Sequence, residues 1–170
     1  MEQGIHVLII VHAAFGGIAL LAGLSAMVAQ KGLQVHKKSG LVFYYSMLIS
    51  TITAMVVAFL PNHESPFLFA IGVFSLYFVL TGRRALRFKR NSLDLQTDKW
   101  ISRAMITVGI LMIFLPFIFY SSLNIVLCVF ALVGILFSIR DLTLYENPDK
   151  LKENWLKLHL GKMLGAYISA

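Results

Sequence analysis

Residues Ile5 to Ala29 read IHVLIIVHAAFGGIALLAGLSAMVA, a run of 25 residues without a single Asp, Glu, Lys or Arg. As a helix it would be about 37 Å long, more than the roughly 30 Å hydrocarbon core of a bilayer. A surface helix of a soluble domain keeps a polar face, and this stretch has none. Its reading is a membrane span.

Working outward, the same reading recurs at Leu41 to Leu60, Pro66 to Thr81, Ile101 to Tyr120 and Leu123 to Ile139, and begins again from Trp155 to the end. The 170-residue chain is 58% hydrophobic and 14% charged, which lies outside the range of soluble domains. The expected fold is therefore all-α: one transmembrane domain over residues 1–170, a polytopic helical bundle of six spans. The sixth span stops eight residues after Lys162 with no polar stop. It is read as the start of a span in a longer natural chain, with a terminal interfacial helix as the alternative.

Polar loops and tight turns alternate between the spans. Gln30 to Gly40, Gly82 to Trp100 and Arg140 to Asn154 are basic, whereas Pro61 to Ser65 and Ser121 to Ser122 carry no Lys or Arg. All fifteen Lys and Arg residues flank the odd-numbered loops. Cytoplasmic flanks of short-looped membrane proteins are enriched in these residues, so the N-terminus is expected outside. The net charge of +7 has the same origin, and a nucleic-acid partner is not expected. The partner expected throughout is the lipid bilayer, with a second membrane protein or another copy of the chain compatible with it. The N-terminus lacks a basic region and a small-x-small cleavage site, so the first span is retained. Cys128, the one cysteine, precludes an intramolecular disulfide.

Ionisable groups inside a membrane are costly, which makes His12 conspicuous. It lies about two turns below the outer end of the first span. His12, Gly16, Ala19, Gly23, Ala26 and Gln30 share one helix face, small enough for another backbone or a flat cofactor to approach. His36 opens the second span from the cytoplasmic side, on a face with Gly40, Phe43, Met47, Ser50 and Ala54. His159 opens the sixth in the same way, with Met163, Ala166 and Ala170. Tyr44 and Ser46 follow His36 by the same intervals as Tyr167 and Ser169 follow His159, a faint internal repeat.

Two readings of these histidines stand side by side. As cofactor ligands, His12, His36 and His159 would hold haem b or a transition metal, with His36 and His159 as a ligand pair around one metal at the cytoplasmic face. His12 would lie apart in the outer half. As structural residues, they would bond to neighbouring helices or touch headgroups. His6, His63 and Glu64 are read as outer-surface residues. No span has a charge near its centre, which argues against a proton relay or a voltage sensor. Pro116 is expected to kink the fourth span. Signatures of hydrolases and nucleotide-binding loops are absent.

The elements His12-Ala-Ala-Phe-Gly16 and His36-Lys-Lys-Ser-Gly40, the second followed by Leu41-Val-Phe-Tyr44, resemble an uncharacterised family of bacterial multi-pass membrane proteins grouped as a domain of unknown function. The resemblance covers residues 5–60, with weaker likeness over residues 159–169. It implies a bacterial inner-membrane location and a chain continuing past Ala170, and brings no activity with it. Transmembrane b-type cytochromes are a looser analogy, in residue type alone. Three function classes follow: a histidine-ligated haem or metal redox module, a non-enzymatic bundle that binds a lipid or a membrane partner, and a carrier for a neutral solute.

Overall fold

The computed structural model describes residues 2–90 and 94–170, with Tyr120 placed by its backbone alone. Among the described residues there are six α-helices and no strand. They are α1 (Glu2–Val28), α2 (Gln34–Val57), α3 (Pro66–Arg84), α4 (Gln96–Tyr120), α5 (Ile125–Tyr145) and α6 (Pro148–Ile168), with a short 3-10 turn at Ala85–Arg87 after α3. The all-α bundle anticipated from hydropathy is what forms. Helices α1 to α5 are long and apolar enough to cross a membrane. Large side chains such as Ile10, Leu21, Phe119 and Ile125 point outward on them. In water such a surface would aggregate, whereas lipid tails solvate it.

The helices extend past the apolar blocks. α2 begins at Gln34 rather than Leu41, α3 runs on to Arg84, α5 to Tyr145, and α6 starts at Pro148 rather than Trp155. Hydropathy detects the part of a helix that sits in hydrocarbon, while the hydrogen-bonded ladder continues into the headgroup layer with polar side chains. Part of the expected loop from Gly82 to Trp100, residues 91–93, lies outside the described residues. α4 passes through Pro116 as one continuous helix.

Local chemistry sets the ends. Pro66 and Pro148 occupy the first positions of α3 and α6, where a missing N–H costs nothing. Ser65, Asn124 and Asn147 accept main-chain N–H groups of Leu68, Leu127 and Lys150 at 3.1–3.2 Å, capping α3, α5 and α6. α4 ends on Ser121 with φ of 50°, a left-handed stop.

The chain divides into two compact units, residues 1–79 with 164–170, and residues 80–163. In the first, α1 packs along α2, and Ala19, Phe43, Met47, Ala54 and Ala70 are buried. In the second, α4 packs along α5, and Ala85, Phe88, Tyr145 and Leu151 form an apolar cluster with Trp155 against it.

Candidate functional site

The small face of α1 closes on α2 at His12. Ser50 Oγ donates to the main-chain carbonyl of His12 at 3.1 Å, and His12 Nδ1 lies 2.9 Å from the Ser50 carbonyl and 3.0 Å from Ser50 Oγ. A carbonyl can only accept, so Nδ1 is the donor in this contact and Nε2 is left facing away from it. A Cβ on Gly16 would lie 3.3 Å from Ser50 Oγ, which shows how closely the helices approach. Ala19 and Gly23 are buried on the same face, as the spacing anticipates.

His36 sits in the first turn of α2, with Nδ1 2.8 Å from the carbonyl of Ala26 in the last turn of α1. Helix ends leave carbonyls without partners inside the helix. His36 bonds one of them, and Lys31 Nζ donates to Met27 O beside it. The expected buried face of α2 is found at Phe43, Met47, Ser50 and Ala54. His12 and Ala26 are fourteen residues apart on α1, as are His36 and Ser50 on α2. At 1.5 Å per residue the two histidines lie about 20 Å apart along the helix pair. They share no compact site, in line with the separate placement expected for His12.

His159 makes the same kind of bond as His36, but from well inside α6 and not from an opening turn as expected, because polar residues carry that helix back to Pro148. Its Nδ1 is 2.8 Å from the carbonyl of Gly82, near the C-terminal end of α3. A Cβ on Gly82 would come within 2.9 Å of Met163 Sδ and 3.1 Å of Lys162 Cβ, so glycine permits the approach. His36 belongs to the first unit and His159 to the second. Each is held within its own unit. Among the described residues, no three His, Cys, Asp or Glu side chains gather as a metal site would need. His6, His63 and Glu64 are exposed.

Two ion pairs in the second unit escaped the sequence reading, which treated Arg84 and Lys162 as cytoplasmic anchors. Arg84 grips Asp98 with Nε on Oδ1 and an Nη on Oδ2, both at 2.7 Å. Lys162 donates to Asp141 Oδ2, and side-chain exposures of 8% and 3% make that a buried pair. A signal was present in the sequence. Lys162 stands in the apolar half of α6, and a cation there needs a carboxylate to compensate it. Its partner lies 21 residues earlier, on a helix whose end hydropathy had misjudged.

Long apolar helices with lipid-facing flanks, and with charge buried only in pairs among the described residues, define a multi-pass membrane protein. The chain matches no protein-family model, no curated protein and no solved structure.

Proposed function

We propose that the chain is a membrane-embedded redox module that binds haem through His12, His36 and His159. One observation carries the reading: each of the three rings has Nδ1 at 2.8–2.9 Å from a main-chain carbonyl on another helix. Metal-ligating histidines characteristically donate one ring N–H to a carbonyl or carboxylate, which fixes the tautomer and presents the other nitrogen to the metal. A metal held by protein side chains alone wants three or four donors. Haem brings four of its own and asks for only one or two imidazoles. Residues that donate singly, as His12 and His36 do from separate places along the α1–α2 pair, fit the second requirement. The basic flanks then face the cytoplasm and the protein belongs to a bacterial inner membrane, in keeping with the family resemblance of residues 5–60.

A second reading has an observation of its own. Ala26 and Gly82 lie in the last turns of α1 and α3, so His36 and His159 also serve as clamps on helix ends. This favours a non-enzymatic bundle that binds a lipid or a membrane partner. His12 separates the two readings, because the carbonyl it meets lies in the middle of α2, where no cap is needed.

The test is the visible spectrum of protein purified in detergent from a haem-sufficient host. Bound haem gives an intense Soret band whose position shifts on reduction with dithionite. His12→Ala, His36→Ala and His159→Ala should each diminish or displace it. A colourless preparation, free of metal and with full helical circular dichroism, overturns the redox reading and leaves the clamped bundle.

A further inference from the structure

The α4–α5 contact of the second unit has a definite register. A Cβ on Gly109 would lie 3.3 Å from the carbonyl of Ala131, and one on Gly134 would meet Met105 Cε. The helices run antiparallel, so stepping back one turn from Met105 on α4 and forward one turn from Gly134 on α5 sets Ser102 opposite Ser138. Both serines are fully buried. Neither hydroxyl has a hydrogen-bond partner among the described residues.

Burying a hydroxyl without a partner is destabilising, and two such groups facing one another across a helix contact call for a common ligand. Continuing along the same two faces, Asp98 lies one turn beyond Ser102 and Asp141 one turn beyond Ser138. Arg84 compensates the first carboxylate and Lys162 the second, so the cluster is neutral as a whole. An added cation or anion would break that balance in a poorly screened setting. The occupant is therefore small, uncharged and able both to donate and to accept.

We infer that Ser102 and Ser138 form a site for bound water between α4 and α5, which joins the Arg84–Asp98 and Lys162–Asp141 pairs into one hydrogen-bonded network. Buried water typically makes about three hydrogen bonds to polar groups that lack other partners. The two hydroxyls supply two of these, and carboxylate oxygens, each with two lone pairs, supply the remainder. The inference does not depend on the histidine reading, since it uses none of the three rings.

The sign of a stability change tests it. If the hydroxyls are dry, Ser102→Ala and Ser138→Ala each remove an unsatisfied group and raise the melting temperature or leave it unchanged. If they share water, each substitution should lower the melting temperature of the detergent-solubilised protein by about 2–4 °C. The double variant should fall by no more than the larger single shift, because the same water is lost once. An additive double shift overturns the inference, as does a raised or unchanged melting temperature.

X-ray hydroxyl-radical footprinting of the wild-type protein gives a second readout that does not depend on the variants folding. Met105 and Met112 lie on the same face of α4 and are both 4% exposed. Only Met105 lies beside the two serines. Radicals formed from bound water should oxidise Met105 several-fold faster than Met112, and equal rates overturn the inference.

Discussion

The α1–α2 pair of the first unit and the α4, α5 and α6 segments of the second bury polar groups by different means. In the first unit the buried polar side chains are Ser46, Ser50, Thr51 and Ser75, all neutral hydroxyls, and the imidazoles meet main-chain carbonyls. In the second, Asp98, Asp141 and Lys162 are buried along with the hydroxyls of Thr81, Ser102 and Ser138, and charge is cancelled by charge. The difference follows from what each contact must withstand. A neutral hydrogen bond deep in the membrane is worth little and costs little to lose, because the separated helices find other partners. A compensated charge is costly to strand, because the surviving ion is left in an interior that solvates it poorly.

Breaking the Lys162–Asp141 pair is the largest perturbation the comparison offers. Asp141→Ala strands a buried ammonium and should destabilise the protein by about 3–5 kcal/mol. Asp141→Leu combined with Lys162→Met should recover most of that loss, since a well-packed apolar pair removes both charges together. Unfolding by SDS titration in mixed micelles reads both. A single variant as stable as wild type would mean that Lys162 does not depend on Asp141, and the contrast between the units would fail.

Packing in the first unit is tested at Gly23. A Cβ there would lie 2.6 Å from Tyr167 Cδ2 and 3.0 Å from Phe43 Cδ2, both atoms of rigid rings. Gly23→Ala should cost about 1–3 kcal/mol, the range for overpacking a close contact. The cost should shrink in a Tyr167→Ala background. If it does not, the ring is not what limits the approach of α1.

Ser50→Ala is the mildest change. It removes a hydroxyl that donates to the His12 carbonyl, while the Ser50 carbonyl still receives His12 Nδ1. The same micellar unfolding assay should register roughly 0.5–1 kcal/mol, as for other hydrogen bonds between membrane helices. A loss as large as that of Asp141→Ala would place the hydroxyl among the dominant contacts and erase the distinction.

Much of the candidate site was legible in the sequence, because helical spacing alone places side chains on faces. His12 with Gly16, Ala19 and Gly23 emerged as a close-contact face, and α1 meets α2 along it. His36 stood out as a first-turn histidine and is one, whereas His159, expected to open the sixth helix, lies eleven residues after Pro148 at the start of α6; each ring bonds a carbonyl near the end of a preceding helix. Which charges pair with which was not legible. Arg84, Lys162 and Asp141 resemble ordinary flanking charges when helices are bounded by hydropathy. Only the continuation of α3 to Arg84 and α5 to Tyr145 brings them inward. Ser102 and Ser138 were equally silent, since a serine in an apolar helix usually bonds its own backbone one turn back.

What the sequence by itself determined is the solvent and the element type. Long runs without charge have to satisfy their backbone internally when no water is present, and the helix does so within a single segment. It also determined which faces are small, since that follows from a 3.6-residue period. Tertiary structure alone decided the tautomers, because Nδ1 of His12 is defined by a carbonyl 38 residues away and that of His159 by one 77 residues away. It also decided which charges are paired and which hydroxyls lack a partner. Those are properties of helix register and separation between segments, set by the fit of side chains such as Met105 over Gly134, and periodicity within one segment carries no record of them.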